Sequence, residues 1–210
     1  MKINQLRNLH FLKMTCAVCS LALAGLLSGC DDDDDPKKED TPELITKVTL
    51  TFTPAAGGAA VTVTATDPDG EGVQDLQVDG PINLAVNKSY TLTINLINGL
   101  ASPSSAGYDI TAEVKEEGSE HMFFFGWTNN VFSDPTGDGN IDARNDDVNY
   151  ADEDENGLPL GLETTWTAAA APTSGTFQVV LKHQPDIKSA ISSSSTGETD
   201  LDIEFSINVQ

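Results

Sequence analysis

Residues 201–209 read LDIEFSINV, and every second residue in this stretch is apolar. Strict alternation places all the apolar side chains on one face of an extended strand. No long segment of the chain has the spacing of apolar residues that is typical of an amphipathic helix. The sequence therefore predicts an all-β fold. The same alternation recurs in residues 44–52, 61–65, 90–96, 108–114 and 177–181.

Turn-forming residues separate these runs, for example Gly57-Gly58, Asp69-Gly70 and the stretches 99–105 and 192–197. Between seven and nine short strands with Thr-rich outer faces predict a single antiparallel β-sandwich that is broadly immunoglobulin-like. Residues 43–210 are long enough to form one such domain with its own core. The final strand is long and runs almost to the last residue, so we expect it to be central or well paired.

The first 29 residues have the layout of a secretory signal peptide. Lys2, Arg7 and Lys13 form a basic start, an apolar run covers residues 15–27, and small residues follow. The apolar run is shorter than the roughly 20 residues of a membrane span. We therefore expect residues 1–29 to be removed after export.

The ending LSGC at residues 27–30 resembles the lipobox of bacterial lipoproteins, in which the cysteine is acylated and becomes the first mature residue. This resemblance implies a lipid anchor on Cys30; the alternative is an ordinary signal peptide that ends near a cysteine. Cys16 and Cys19 lie in the apolar run and would leave with it. The mature domain would then contain no thiol, so its fold would need no disulfide and thiol catalysis is excluded.

Charge is the dominant property of the mature chain. Removal of the signal peptide takes away three of the eleven basic residues and none of the 33 acidic ones, which leaves 8 basic residues against 33 acidic ones and a net charge of −25. This sign argues against binding to nucleic acid and to anionic lipid surfaces, both of which need basic patches. It favours cations, or partners with basic faces.

Residues 30–42 contain five consecutive aspartates, Asp31 to Asp35, followed by a proline and mixed charges. Like charges repel and bury no apolar surface, so the segment is predicted to be a solvated tether. An acidic cluster directly after the lipidated cysteine also resembles the export signal of Bacteroidota surface lipoproteins. That resemblance implies an outer-membrane protein displayed on the cell surface; the alternative is a lipid anchor in the periplasm-facing leaflet.

Several motifs together resemble small acidic Bacteroidota lipoproteins that carry the label "type 1 periplasmic binding fold superfamily protein". The motifs are EHMFFF at residues 120–125, the acidic stretch 150–161, LKHQP at residues 181–185, and GETD at residues 197–200. The label denotes a two-lobed α/β fold, whereas the alternation in this chain predicts strands. The resemblance implies an accessory role beside a TonB-dependent outer-membrane receptor in nutrient or metal uptake.

The acidic stretch between residues 133 and 161 contains the first candidate calcium loop. Asp152, Asp154 and Asn156 alternate, Gly157 follows, and Glu163 comes six residues later, which matches the spacing of a calcium loop. Calcium takes about 6–8 oxygen ligands, and alternate positions of a tight loop converge on one point. The flanking residues are predicted to be strands, so the loop is not an EF-hand. The alternative is a solvated acidic turn.

A second candidate calcium loop lies upstream. Asp134, Asp138 and Asp142 resemble the start of a dockerin-type calcium loop. The expected closing acid is displaced, because Asn145 occupies that position and Asp146 follows it. The two loops are close in sequence and would be able to share ions.

The histidines of the predicted domain offer an alternative metal site. His121 is in phase with Phe123 and Phe125, and His183 continues the phase of the strand at residues 177–181. Glu120 adjoins His121, and imidazole with carboxylate suits zinc or copper. The two histidines are far apart in sequence, so the alternative is a pair of hydrogen-bonded histidines at the edge of the core. The aromatic run from Met122 to Trp127 is predicted to fill the core.

Three functions are open to such a chain. The favoured one is a binding or accessory lipoprotein, and the second is a structural or adhesive surface domain that calcium stabilises. An enzyme, such as a carboxylate-based hydrolase, is disfavoured because the sequence has no nucleophile-elbow motif, no phosphate-binding loop and no catalytic zinc motif.

Overall fold

The computed structural model describes residues 43–70 and 75–210. The predicted signal peptide, Cys30 and the tether lie outside these residues. All described residues belong to the second of the two units into which the chain divides, Glu39–Gln210. Within the described part of the chain, no helix has both the length and the apolar character to span a membrane.

Ten strands form in the described residues, because alternating apolar and Thr-rich sequence is favourable in a half-buried sheet. Of the described residues, 43% are in strands and 8% in helices, so the predicted all-β class is confirmed. The strands are β1 (Lys47–Pro54), β2 (Val61–Thr66), β3 (Gln77–Val78), β4 (Ile82–Leu84), β5 (Ser89–Ile97), β6 (His121–Trp127), β7 (Phe132–Asp134), β8 (Glu163–Ala168), β9 (Thr173–His183) and β10 (Glu198–Val209).

The strands are arranged in two sheets. The six-stranded sheet has the order β3-β2-β1-β5-β8-β7, is antiparallel throughout and curls into a half-barrel. The four-stranded sheet has the order β4-β10-β9-β6. Its strands are antiparallel except that β4 runs parallel to β10.

Alternation along the strands produces the core. Every second residue of β1, β5 and β10 is buried, and one cluster of buried apolar residues draws on both sheets. Phe52 of β1 and Phe177 of β9 meet edge to face with their ring centroids 6.1 Å apart. Such aromatic pairs add to the free energy gained from the apolar area that they bury.

The last strand is central, as its sequence predicts. β10 lies between β4 and β9 and pairs with β9 over nearly its whole length. The N–H group of Gln210 donates to the carbonyl of Leu84 at 2.9 Å, so hydrogen bonding extends to the last residue. The expectation of a well-paired final strand is therefore confirmed.

The prediction of a strand over residues 108–114 is wrong. Helix α1 covers Ile110–Glu116, and short 3₁₀ turns precede and follow it at Ala106–Tyr108 and Gly118–Glu120. Ile110 and Val114 are four residues apart, so they share one face of a helix as well as one phase of a strand. The side chain of Asp109 accepts the N–H group of Ala112 at 3.2 Å, and this cap starts the helix.

Strands β3, β4 and β7 have only two or three residues each, too few to show alternation in the sequence. Their presence raises the number of strands above the predicted seven to nine. The parallel pairing of β4 with β10 also departs from a purely antiparallel arrangement.

The segment between β7 and β8, residues 135–162, joins the edges of the two sheets; we call it the acidic loop. On one side, the N–H group of Asn140 donates to the carbonyl of Phe125, and that of Phe123 donates to the carbonyl of Leu160, both at 2.8 Å. On the other side, the N–H group of Ala151 donates to the carbonyl of Glu163 at 2.9 Å. The loop thereby satisfies the outer edge of β6, which would otherwise present unpaired backbone groups.

Both faces of β6 are buried as a result. Phe123, Phe125 and Trp127 belong to the main core, while Met122 and Phe124 form a second cluster with one residue of β9. Ile141 and Tyr150 of the acidic loop cover that second cluster. The prediction that this aromatic run fills the core is confirmed.

Candidate metal centre

Pairing of β6 with β9 brings the two distant histidines together. His121 begins β6, His183 ends β9, and they are directly opposite one another in the antiparallel register. Opposite residues project from the same face of a sheet with their Cβ atoms about 4.5–5.5 Å apart. The two imidazole rings stack with their centroids 4.7 Å apart and their planes 5° from parallel.

A backbone carbonyl fixes the orientation of the His121 ring. Nδ1 of His121 lies 3.2 Å from the carbonyl oxygen of Glu117, and a carbonyl only accepts, so the tautomer that forms this bond carries its proton on Nδ1. Nε2 then presents a lone pair. It lies 3.6 Å from Oδ2 of Asp200 and 4.0 Å from Oε1 of Glu43. A hydrogen bond of this kind on the other ring nitrogen is the usual arrangement for a histidine that binds a metal.

His183 is nearly as well buried, with 5% of the residue exposed. Its Nε2 atom lies 3.7 Å from Oε2 of Glu120 and has no hydrogen-bond partner. Buried polar atoms are nearly always hydrogen-bonded, because leaving one unsatisfied costs about 1–3 kcal/mol. A bound cation would satisfy this nitrogen.

Three carboxylates come from the start of the domain and from α1. Glu117 follows the last residue of α1, Glu113 lies one turn earlier, and Glu43 is the first described residue. One ligand atom each of Glu117, His121 and His183 lies within 4.8 Å of the others. The same is true of Glu43, Glu113 and Glu117.

Asp200 is the most deeply buried of the carboxylates, and its side chain is fully inaccessible to solvent. Oδ1 accepts the N–H group of Glu43 at 3.2 Å, while Oδ2 has no hydrogen-bond partner. Burial raises the pKa of Asp200 to about 6, although the Glu43 N–H group and the positive charges of His183 and Lys182 oppose the rise. We call the set His121, His183, Glu43, Glu113, Glu117 and Asp200 the histidine cluster.

The ligand types of the histidine cluster suit zinc or copper. Zinc is bound by imidazole nitrogen and carboxylate oxygen in a four-coordinate shell, and imidazole also suits copper. Three ligands would come from His121, His183 and Glu117. Asp200 lies beside His121, with its Oδ2 atom 3.6 Å from Nε2.

The sequence singled out Glu120 as the carboxylate partner, and the structure places it next to His183. The carboxylate within reach of both histidines is Glu117. Intervals of four residues, which are typical of one helix face, separate Glu113, Glu117 and His121. The alternation of apolar residues in 108–114 predicts a strand instead, so this helical spacing was missed. No local signal in the sequence points to Glu43 or Asp200.

The first predicted calcium loop is held by protein contacts. Oδ1 of Asp154 accepts the N–H groups of Asn156 and Leu158, and Oδ2 lies 2.8 Å from Nζ of Lys188. Burial alone would raise the pKa of Asp154, but the Lys188 ammonium and the backbone donors outweigh burial and lower it. A cation at this loop would therefore compete with Lys188 for Asp154.

The other residues of that loop are dispersed. Oδ1 of Asp152 accepts the N–H group of Gly161 at 2.8 Å, and burial raises its pKa against this bond. Asn156 and Glu163 are exposed. The three groups of clustered ligand atoms found among the described residues include neither Asp152, Asp154 nor Glu163. Calcium binding at this loop stays a prediction.

The second predicted calcium loop is more compact. One carboxylate oxygen each of Asp138, Asp142 and Asp146 lies within 4.8 Å of the others, and all three residues are exposed. Asp134 ends β7 and accepts a hydrogen bond from the amide group of Asn149 at 3.1 Å. The structure thus brings together two of the three predicted ligands, with Asp146 as the third carboxylate.

Comparison with known proteins does not assign this arrangement to a class. No model of a known protein family matches the chain, and no curated protein or solved structure matches it significantly.

Proposed function

We propose that this protein is a lipid-anchored protein of the bacterial cell envelope that binds a divalent transition-metal ion, zinc or copper, at the histidine cluster. The observation that carries the proposal is the stacked pair of His121 and His183, whose ligand atoms lie within 4.8 Å of each other and of Glu117. Two buried imidazoles beside carboxylates form a ligand set that zinc and copper favour.

The unsatisfied atoms of the cluster support a cation in particular. Nε2 of His183 and Oδ2 of Asp200 are buried without hydrogen-bond partners. A core that needed histidines only for packing would be expected to satisfy those atoms with protein donors and acceptors. A divalent cation accepts lone pairs from imidazole nitrogen and from carboxylate oxygen, which are the two kinds of atom left unsatisfied here.

Features of the sequence support a place for this metal site at the cell envelope. A lipobox-like Cys30, an acidic tether and the resemblance to Bacteroidota lipoproteins support attachment to the outer membrane, with display on the cell surface. In this proposal the domain is an accessory to a TonB-dependent receptor and serves metal uptake, and it has no catalytic role.

The proposal is tested by thermal unfolding of the purified protein in EDTA and then with zinc, copper or calcium. We expect zinc or copper to raise the unfolding midpoint, because an ion at 100 times its Kd stabilises the folded state by about 2.7 kcal/mol. The rise should disappear in His121→Gln and His183→Gln. Asp142→Asn, which removes a carboxylate outside the histidine cluster, is the matched control and should keep the rise.

Loss of the effect in the Asp142→Asn control, or a rise that survives both histidine substitutions, would contradict the proposal. So would the absence of any rise with zinc and with copper.

The second candidate is a structural or adhesive surface domain stabilised by calcium. The close approach of Asp138, Asp142 and Asp146 favours it, since calcium prefers carboxylate oxygens. The calcium arm of the same experiment distinguishes the two functions. A rise with calcium that Asp142→Asn abolishes would support the second candidate.

We infer in addition that the two sheets form the layers of one β-sandwich of the immunoglobulin-like kind. The shared core cluster and the Phe52–Phe177 contact between the sheets support this. A crystal structure in which the half-barrel closes on itself, away from the four-stranded sheet, would exclude it.

A further inference from the structure

The histidine cluster holds more ligands than one ion uses. A zinc ion in a protein site takes four ligands, and the cluster offers six side chains, namely two imidazoles and four carboxylates. Each carboxylate has two oxygens that are able to bind a metal. One ion bound by His121, His183 and Glu117 would leave Glu43 and Glu113 outside its shell.

The ligand atoms are arranged as two groups with one member in common. The first group is Glu117, His121 and His183, and the second is Glu43, Glu113 and Glu117. Within each group the ligand atoms lie within 4.8 Å of one another. Glu117 therefore stands between a position with two nitrogen ligands and a position that has oxygen ligands only.

Helix α1 is responsible for the second group. Glu113 and Glu117 are four residues apart at the end of α1, so they share one face of the helix. Like charges at this spacing destabilise a helix. A cation bound between the two carboxylates would attract both of them, so the repulsion that destabilises the helix would be replaced by a stabilising attraction.

An independent observation places a further buried ligand beside both groups. Oδ2 of Asp200 is inaccessible to solvent, lacks a hydrogen-bond partner and lies 3.6 Å from Nε2 of His121. Oε1 of Glu43 is 4.0 Å from the same nitrogen, and the N–H group of Glu43 donates to Oδ1 of Asp200. Asp200 thus points into the space between His121 of the first group and Glu43 of the second.

We propose that the histidine cluster binds two divalent cations that share Glu117 as a bridging carboxylate. His121 and His183 ligate the first ion, Glu43 and Glu113 ligate the second, and Asp200 lies between them. The proposal rests on the proposed function, because the first ion is the one described above. The second position, with oxygen ligands only, suits a harder ion such as manganese, although zinc also accepts carboxylates.

The charges and the spacing agree with a pair of ions. Four carboxylates carry four negative charges, which two divalent cations balance, while the imidazoles bind as neutral ligands. Ions in two-metal sites are about 3.5–4 Å apart, a separation that a single carboxylate spans. Two histidines with four carboxylates are also the ligand set of carboxylate-bridged two-metal sites in helical bundles, so this set is known to hold two ions on an unrelated fold.

The experiment measures the number of ions per chain. The full-length protein is stripped with EDTA, loaded with zinc or with manganese, passed through a desalting column and analysed by elemental mass spectrometry against protein concentration. We expect two ions per chain in the unsubstituted protein and one in Glu113→Gln. Glu116→Gln, an exposed neighbour on the same helix, is the matched control and should retain two.

A spectroscopic measurement separates a pair from two distant ions. Two manganese ions that share Glu117 are magnetically coupled, so the electron paramagnetic resonance signal of the loaded protein should be weaker per ion than that of isolated manganese. In Glu113→Gln the isolated-ion signal should return. Circular dichroism of each variant checks that the strands are retained.

Each outcome has a defined meaning. One ion per chain in the unsubstituted protein would overturn the pair and leave the proposed function standing. Two ions that persist in Glu113→Gln would place the second ion elsewhere, for example at Asp138, Asp142 and Asp146, and would also overturn the pair. No bound ion at all would overturn both proposals.

Discussion

Asp154 and Asp200 are two buried carboxylates whose pKa values move in opposite directions. Asp154 contacts the ammonium of Lys188 at 2.8 Å and accepts two backbone N–H groups, so its charged form is favoured and its pKa is lowered. Asp200 accepts one backbone N–H group, and burial dominates, so its pKa rises to about 6. The difference follows from the partners, since both side chains are inaccessible to solvent. Asp154 is therefore a structural charge, and Asp200 is a charge that a metal would stabilise.

The raised pKa of Asp200 predicts how the stability of the metal-free protein depends on pH. A carboxyl whose pKa is higher in the folded state than in the unfolded state contributes its full stability below the unfolded pKa of about 3.9 and loses it as the pH rises through about 6. Asp200→Asn keeps the size of the side chain and removes the charge. In EDTA at pH 8 we expect this variant to be more stable than the unsubstituted protein by up to about 3 kcal/mol. Urea unfolding measures the difference.

The same comparison at pH 4.5 serves as the control. The difference should shrink there to about 1 kcal/mol, because Asp200 is mostly protonated in the folded protein but still mostly ionised in the unfolded chain. With zinc present at pH 8 the order should reverse, since the variant loses a ligand. A variant that is less stable at pH 8 in EDTA would show that the buried charge of Asp200 is favourable without a metal.

At the scale of elements, alternation in the sequence predicts the long strands well and the short elements poorly. β10 shows the alternation over nine consecutive residues, and its central place in the sheet follows from its length. In the segment 108–114, the burial of Ile110 and Val114 is compatible with a strand and with a helix. The side-chain cap at Asp109 favours the helix. β3, β4 and β7 form because their neighbours offer backbone partners, which local sequence does not reveal.

The acidic loop depends on Gly139, where it approaches the edge of β6. Gly139 has a φ of +100°, and a Cβ atom there would overlap the carbonyl oxygen of Phe125 and come within 2.8 Å of Cα of Gly126. We expect Gly139→Ala to lower the free energy of unfolding by more than about 2 kcal/mol, because backbone strain and overlap act together. The exposed edge of β6 should also promote aggregation, which light scattering would detect.

Gly137→Ala is the matched control for this prediction. Gly137 lies in the same loop with a φ of +95°, but a Cβ atom there would meet nothing within 4 Å. Its substitution should cost only the strain of the positive φ, about 1 kcal/mol. If both alanine variants lost the same free energy of unfolding, the close approach of Gly139 to β6 would not be the cause of the loss.

At the scale of the whole molecule, the histidine cluster is assembled from four separated parts of the chain. Its residues come from the start of the domain, α1 with β6, the end of β9, and β10. The sequence identified His121 and His183 as candidates because their phase and chemistry are local properties. The two histidines meet because β6 pairs with β9, although they are 62 residues apart in sequence. The alternation of apolar residues does not specify which strands pair. Glu43 and Asp200 were missed for the same reason.

The predicted lipid anchor belongs to this scale as well. Cys30→Ser should abolish incorporation of labelled palmitate and release the protein from the membrane fraction, because a serine cannot form the thioether to lipid that holds a lipoprotein. Fractionation of cells that express either form measures this. Cys19→Ser is the control and should leave labelling unchanged, since Cys19 lies within the predicted signal peptide. Continued membrane attachment of Cys30→Ser would argue against the lipobox.

Because His121 and His183 meet through strand register, insertions and deletions should affect the histidine cluster very unevenly. A single added or lost residue inside β6 or β9 would shift one imidazole relative to the other and turn its neighbours to the opposite face of the sheet. Length changes between β6 and β9, at the turn that ends at Phe132 or the one that precedes Thr173, leave that register intact. The turns between the two strands are thus free to diverge in length while the ligands keep their positions.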